Sequence, residues 1–502
     1  MTLFSPNVEP RPLRAHQVRA LEMLRASLRA GHKRPMIQAP TGFGKTLLTA
    51  HIIRGALAKG NSVIFTVPAL SLIEQTVAAF EAEGIGCIGV MQGDHVRTDQ
   101  SQPVQVCSVQ TLARREKPRA ALVIIDEAHR MFADVNSWME DSSWADVPFV
   151  GLSATPWAKG LGRYYDDLIV AARTGELIDH GYLSPFVVYA PSSPDLSGVR
   201  MVAGEFHQGE LADACNTSTL VGDVVAEWLT RGEGRPTLSY GVDRAHALHK
   251  QARFIEAGIA AEYIDAFTPN AERERIFDRF RTGETKIICN VGTLTTGIDL
   301  DVRCIIDAKP TKSEMLFVQT IGRGLRTALG KDYLLVLDHA GNHLRLGCVT
   351  DIHHERLDDG SRRKPGDCRE EEKPAPRPLL CEECKAIISR GSPACPYCGH
   401  VREPVSCIEE RNGNLVRLGS GESGKRAPTI AEMAAFHGEL KYIADARGYS
   451  PGWAAHKFRE RFGHWPNGAR VRHAKPRAPS VATTNWVRSR WIAFAKGEAR
   501  HG

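Results

Sequence analysis

Short apolar runs alternate with stretches of helical periodicity over most of the first 340 residues. Residues 35–38, 62–67, 104–108, 122–125 and 149–152 read as buried strands, with helical stretches such as 46–59 and 70–83 between them. A second set follows. Strands are expected near 236–240, 261–264, 286–290, 304–307 and 333–338, and helices near 244–257 and 271–281. Runs this short, alternating with helices, predict parallel sheets covered by helices. Two such blocks predict two α/β domains, 1–180 and 181–357, joined around 179–185. Residues 190–209, rich in Ser, Pro and Gly, read as a loop or insertion. The pattern breaks at 358–380, where charge and proline without apolar period predict a linker. Helical periodicity returns at 428–468, read as a small helical module, and 471–502 reads as a basic, partly ordered tail. No fixed-period repeat exists beyond the two blocks.

Composition adds limits. The chain has 502 residues, 42% apolar and 24% charged, the values of an ordinary soluble globular protein rather than a disordered or fibrous one. No run approaches the roughly 20 apolar residues of a membrane helix. The N-terminus lacks the charged start and apolar core of a signal peptide. The expected location is the cytoplasm, on the nucleoid when bound to DNA. The net charge of +6 conceals an asymmetry: from Arg411 onward there are 17 Lys+Arg against 6 Asp+Glu, a local +11, and the remainder is −5. Trp453, Trp465, Trp486 and Trp491, four of the eight tryptophans, lie in that basic stretch. Basic charge interleaved with aromatics suits a phosphate backbone and stacked bases. A solvated basic tail with a few core aromatics is the alternative.

Seven of the twelve cysteines are scattered singly through the first 370 residues, several in apolar runs, as reduced core thiols would be. Four others, Cys381, Cys384, Cys395 and Cys398, form a C-x2-C-x10-C-x2-C pattern. Two tight pairs on facing knuckles supply four thiolates in tetrahedral array, the donor set of structural Zn²⁺. Iron in a rubredoxin-like site is the other option. Four cysteines leave no open position for a catalytic metal.

Residues 39–46 read Ala-Pro-Thr-Gly-Phe-Gly-Lys-Thr, after an apolar strand and opening a helix, the context of a P-loop. Ala39 replaces the first glycine of the usual pattern. Gly42 and Gly44 let the backbone curl so that N–H groups face phosphate oxygens. Thr41, Gly42, Gly44, Lys45 and Thr46 are therefore candidate ATP ligands. Lys45 would reach the β- and γ-phosphates and Thr46 would bind Mg²⁺. Some 80 residues later, Asp126-Glu127-Ala128-His129 follows the strand at 122–125, at the sheet edge where ligands bind. Adjacent carboxylates beside a phosphate site call for a cation. Asp126 is the candidate Mg²⁺ ligand, and Glu127 the candidate base for the attacking water.

With these motifs in order, the chain resembles superfamily 2 helicases of the DEAH-like branch over roughly residues 13–338. That resemblance implies two tandem RecA-like domains and nucleic-acid-dependent ATP hydrolysis. It extends to Ser153-Ala154-Thr155, which implies a role for Ser153 and Thr155, with His129, in coupling hydrolysis to movement on the strand. Leu13-Arg14-Ala15-His16-Gln17 is similar to the family's adenine-reading element, with Gln17 as the base reader. Residues 67–70 and 108–112 are similar to its strand-gripping motifs. Residues 292–299 resemble the motif touching both strand and nucleotide, which adds Gly297 and Asp299. Residues 319–326, Gln-Thr-Ile-Gly-Arg-Gly-Leu-Arg, match its arginine motif. Gln319 is then a nucleotide contact, and Arg323 and Arg326, sharing a helix face at that spacing, are arginine fingers. Two motor domains followed by a four-cysteine element resemble the bacterial RadD-like helicases and their phage relatives. This implies a DNA helicase or translocase in repair, recombination or replication, acting on single-stranded or branched DNA rather than RNA. The motor subunit of a restriction–modification system is the alternative, with an RNA helicase behind it. No membrane partner is implied. The E-x-K at Glu439–Lys441 lacks the Asp and strand context of a nuclease.

Overall fold

The computed structural model describes residues 8–93, 95–294, 300–361, 378–388, 392–401, 428–450 and 452–498. The chain divides into two compact units, 1–404 and 405–502. The first contains two parallel sheets. Strands β1 (Pro35–Gln38), β2 (Val63–Val67), β3 (Ile88–Met91), β4 (Val104–Ser108), β5 (Leu122–Asp126), β6 (Phe149–Ser153) and β7 (Asp167–Val170) form one, in the order β3-β4-β2-β5-β6-β1-β7. The other uses β8 (Phe186–Tyr189), β11 (Thr237–Tyr240), β12 (Ala261–Ile264), β13 (Ile287–Asn290), β14 (Cys304–Asp307) and β15 (Leu334–Asp338), in the order β12-β13-β11-β14-β15-β8. Every pairing in both sheets is parallel. Helices bury apolar residues on them: Leu48, Ile52 and Ile53 from Lys45–Leu57 in the first, Val224, Trp228 and Phe254 in the second. The non-alternating apolar strands are those of sheets covered on both faces. The expected fold class, two parallel-sheet α/β domains, is the fold observed.

Three strands were not evident from apolar runs, and each has a local reason. In β3 the run is cut by Gly89, where a Cβ would stand 2.2 Å from the Asp99 carbonyl oxygen. β7 and β8 are sheet edges and only half-buried, so their sequence need not be uniformly apolar. Within 190–209 lies a small antiparallel hairpin, β9 (Met201–Val202) with β10 (Glu205–Phe206). The expected linker also starts and ends in structure. Gly162 N–H donates to the Asp358 carbonyl at 2.8 Å, while Leu379–Leu380, as β16, pairs with β17 (Ile387–Ile388) in the cysteine element.

The second unit is helical: Ile430–Arg447, Trp453–Phe462, Ala469–Arg472 and Val481–Glu498. Thr429 and Glu432 form a reciprocal capping box on the first of these. Phe436, Leu440, Ile443, Phe458, Val471 and Val487 make its core. Of the stretch 471–502 expected as a partly ordered tail, the described residues 471–498 belong to the helical unit. Buried Glu439 explains why: its carboxylate, costly to bury unpaired, accepts hydrogen bonds from Ser480 and Thr483. Lys441 Nζ donates to the carbonyls of Arg472 and Ala474, so Glu439 and Lys441 both hold the module together. Among the described residues no helix is long and apolar enough to cross a membrane.

Candidate active site

After β1 the chain curls through 39–44 and enters the helix Lys45–Leu57. Gly42 and Gly44 stand at φ +82° and +83°, where a side chain would be strained. Space also excludes one: a Cβ on Gly42 would lie 2.3 Å from Leu183 Cδ2, and one on Gly44 2.4 Å from Gln17 Nε2. The helix then starts with unpaired first-turn N–H groups, which favour an anion. Thr41, Gly42, Gly44, Lys45 and Thr46 all line one cavity of about 440 Å³.

Gln17 is not on that wall. It is buried beneath the loop, where its amide nitrogen donates to the Phe43 carbonyl at 3.0 Å and the Gly44 carbonyl at 3.2 Å, and its oxygen accepts from Arg14 N–H at 2.8 Å. This departs from the expectation of an adenine reader: with both ends of the amide engaged, Gln17 braces the loop. Arg14, in the same segment, faces the cavity instead, its guanidinium 4.7 Å from the Tyr182 ring centre. The search for a base-contacting amide passes over it. Leu72, Gln75 and Thr76 also line the cavity, and their sequence carries no motif signal.

Lys45 Nζ lies 2.7 Å from Glu127 Oε1 and 3.3 Å from Asp126 Oδ1. Burial opposes its charge, but the two carboxylates outweigh burial and raise its pKa. Burial pushes Asp126 up, and Glu127 beside it adds to that, although Lys45 pulls the other way. Burial acts on Glu127 too, but there Lys45 prevails and holds it ionised. Glu127 has φ +49°, a left-handed conformation that costs a non-glycine residue about 1–2 kcal/mol. Its Oε2 is buried and makes no hydrogen bond, with His129 Nδ1 3.3 Å away. Two carboxylates sharing a single lysine, one with an unsatisfied oxygen, fit a site that also takes Mg²⁺, with Asp126 and Thr46 as the holding residues.

From the second domain, Gln319, Arg323 and Arg326 line the same cavity. Gln319 Nε2 donates to Thr155 Oγ1 at 3.0 Å and lies 3.3 Å from His129 Nε2. That contact makes Nε2 the acceptor, so Nδ1 carries the proton and donates to Ser153 Oγ at 2.8 Å. Ser153 Oγ also accepts the Thr155 N–H at 3.0 Å. Burial lowers the His129 pKa and keeps the ring neutral. The three residues expected to couple hydrolysis to movement thus form one network with Gln319.

The arginine pair departs from expectation. The helix Glu314–Gly322 ends before it; Arg323 caps that helix and Arg326 forms a bridge with Leu183, so the two do not share a helix face. The glycines explain the exit. A Cβ on Gly324 would lie 2.4 Å from Leu334 Cδ1, and one on Gly322 2.7 Å from Thr41 Oγ1. Gly322 thus lets the second domain close on the phosphate loop. Gly322→Ala suits its helix but not that contact. It is expected to lower turnover roughly 10- to 100-fold, the effect of shifting reacting groups by up to an ångström, with an unchanged melting temperature; steady-state ATPase and thermal melts check this. Gly297 and Asp299 lie outside the described residues.

The four cysteine sulfurs lie within 4.8 Å of one another, with Cys381 to Cys398 at 3.6 Å and Cys384 to Cys395 at 3.7 Å. A tetrahedral Zn²⁺ with bonds of about 2.3 Å sets its sulfurs about 3.8 Å apart, so the geometry is compatible with zinc. The element is docked on edge strand β8: Tyr189 bridges Ala386, and Ala190 N–H donates to the Lys385 carbonyl at 3.1 Å.

Comparison with known proteins agrees with this geometry. Residues 11–158 match the domain described as type III restriction enzyme, res subunit, and 223–328 match the helicase conserved C-terminal domain. A 51.5 kDa protein of a Lactococcus phage (isolate 7-9) is 31% identical over 389 residues, 76% of this chain and 80% of that protein. A Saccharomyces cerevisiae protein named as an ATP-dependent helicase, IRC3, is 29% identical over 356 residues; the match covers 66% of this chain and 51% of that protein. Among solved structures, a fragment of an HsdR subunit of a type I restriction enzyme from Vibrio vulnificus YJ016 is similar in fold. Its TM-score is 0.54 at 19% identity, over 70% of this chain and 67% of that one. The Type ISP restriction-modification enzyme LlaBIII, solved bound to DNA, aligns with a TM-score of 0.50 at 18% identity, over 65% of this chain and 28% of that one. With both domain matches in order on two RecA-like sheets and an extensive phage relative, this chain belongs to the superfamily 2 helicases, ATP-hydrolysing motors.

Proposed function

We propose that this chain is a DNA translocase or helicase of RadD-like type, acting in repair, recombination or replication. The observation that carries it is the network of His129, Ser153, Thr155 and Gln319, which ties His129, two residues past the carboxylate pair, to the opposite domain. A change in closure at the nucleotide would be felt there by both domains. In this reading incoming phosphates draw Lys45 from the carboxylates. Bound Mg²⁺ would neutralise phosphate charge, held by Asp126 and Thr46. Glu127 Oε2 takes a proton from water as that water attacks the γ-phosphorus, and the bond to the β–γ bridging oxygen breaks. Arg323 and Arg326 stabilise the charge that develops. The restriction-enzyme domain match favours DNA over RNA.

The same match supports a second reading, the motor subunit of a restriction–modification system. The Glu439–Lys441 pair offers no nuclease to it, being used in packing. ATPase rates with single-stranded, duplex and forked DNA and with RNA test the proposal. DNA is expected to stimulate turnover more than RNA does. Stimulation by RNA alone, or by neither, would overturn it.

The cysteine element is proposed to hold one structural Zn²⁺ per chain. Because it extends edge strand β8, its loss reaches beyond residues 381–398. Chelation is expected to release the metal and lower the melting temperature of the second domain. Metal analysis finding no zinc, or a melt indifferent to chelator, would remove the role.

A further inference from the structure

The helical unit carries the charge excess and lies beyond both domain matches. Its tryptophans are not open stacking platforms. Trp453, Trp486 and Trp491 pack against the core of the unit, and only Trp465 is exposed, at 39%. Arginines stand over Trp465, Trp486 and Trp491 and over Phe436. Arg461 stands 4.3 Å from the Phe436 ring centre and 5.7 Å from Trp486. Arg490 is 5.9 Å from Trp486, Arg447 is 4.2 Å from Trp491, and Arg459 is 4.9 Å from Trp465.

These four side chains are exposed. Among the described residues no carboxylate pairs with Arg447, Arg459 or Arg461, and Arg490 has only Glu460, at 3.9 Å. Several arginines elsewhere in the chain, such as Arg253, Arg275 and Arg281, instead have a carboxylate at 2.7 Å or less. A guanidinium held on a ring is weakly hydrated, restricted in rotation, and still has N–H donors at its edge in a fork that matches a phosphate. Arg461 and Arg490 share the Trp486 ring, and several such groups on one small unit suit a polyanion.

We propose that the helical unit is a second nucleic-acid contact, gripping the phosphate backbone of duplex DNA through ring-stacked arginines, with the tryptophans as positioning residues that touch no base. This rests on DNA being the partner of the motor. Duplex is favoured over single strand because three of the four tryptophans that would hold unpaired bases pack against the core of the unit. An acidic protein surface would be bound by the same fork, and the experiment separates the two.

The test measures affinity of the full chain for a 30-base-pair duplex and for oligo(dT) across a salt series. The variants are Arg447, Arg461 and Arg490 all changed to Ala, the same three changed to Lys, and Arg488→Ala as an exposed, unstacked control. Each lost phosphate contact removes about 0.9 from the log–log salt slope on duplex, so the Ala variant should lose roughly 2 to 3. The Lys variant, which keeps the charge but not the planar fork, should recover only part of the affinity. Arg488→Ala should lose less than a third of what the triple Ala variant loses. Tryptophan fluorescence should not be quenched by oligo(dT). All the substituted arginines are exposed, so melting temperatures should hold. Two results overturn the proposal alone: a duplex slope unchanged in the triple Ala variant while DNA still stimulates ATPase, which leaves a protein surface as the partner, or quenching by oligo(dT) that survives the Ala changes. A wild-type chain that binds no DNA and shows no stimulated ATPase overturns it together with the DNA reading.

Discussion

Glu127→Gln is expected to bind ATP and fail to hydrolyse it. Glutamine is nearly isosteric, so the left-handed backbone at this position is no more strained than before, and the amide can still accept from Lys45 through its oxygen. What is lost is the proton acceptor at Oε2, the buried oxygen without a hydrogen-bond partner. Removing a positioned general base lowers turnover by about 10²–10⁴-fold. Lys45→Ala should be at least as damaging and for another reason. It removes the cation that reaches the phosphates and leaves Asp126 and Glu127 adjacent without their shared counter-charge. ATP binding by equilibrium dialysis separates the two: retained in the first variant, weakened in the second. A Glu127→Gln protein with wild-type turnover would remove Glu127 from the mechanism.

The arginines give the second large effect. Arg323→Ala and Arg326→Ala should each lower kcat by about 10³-fold or more, with ATP affinity changed far less, because an arginine finger acts on charge that appears only in the transition state. Both come from the second domain and reach the cavity through the glycine-bounded exit after Gly322, so their effect depends on closure against Thr41. Single-turnover rates with nucleotide affinities measured in parallel check it. Wild-type kcat in both variants would sink the assignment.

Much of the architecture was legible because parallel strands buried on both faces are largely apolar; β1, β4 and β14 begin and end where that pattern does. β3, β7 and β8 were not, since a glycine breaks one run and edge positions relax the demand on the others. The phosphate loop and the carboxylate pair announce themselves because backbone curvature and cation binding restrict the residues allowed. Gln17 and Arg14 show where such reading ends. Both sit in one motif-like segment, and only tertiary packing decides which amide is occupied and which side chain faces the cavity. The tryptophans teach the same lesson: Trp486 and Trp491 in a basic stretch suggest stacking on bases, yet in three dimensions their faces meet arginines of the same unit.

The central claim is that hydrolysis is tied to DNA through contacts crossing the cleft. The most direct measurement is the ratio of ATP turnover with and without saturating DNA, in the wild-type chain and in Gln319→Ala. That substitution removes the donor shared by Thr155 and His129. A ratio well above one in the wild type, collapsing toward one in a variant that melts at the same temperature, is the predicted result. A ratio of one in the wild type, or full stimulation surviving in the variant, would contradict the account.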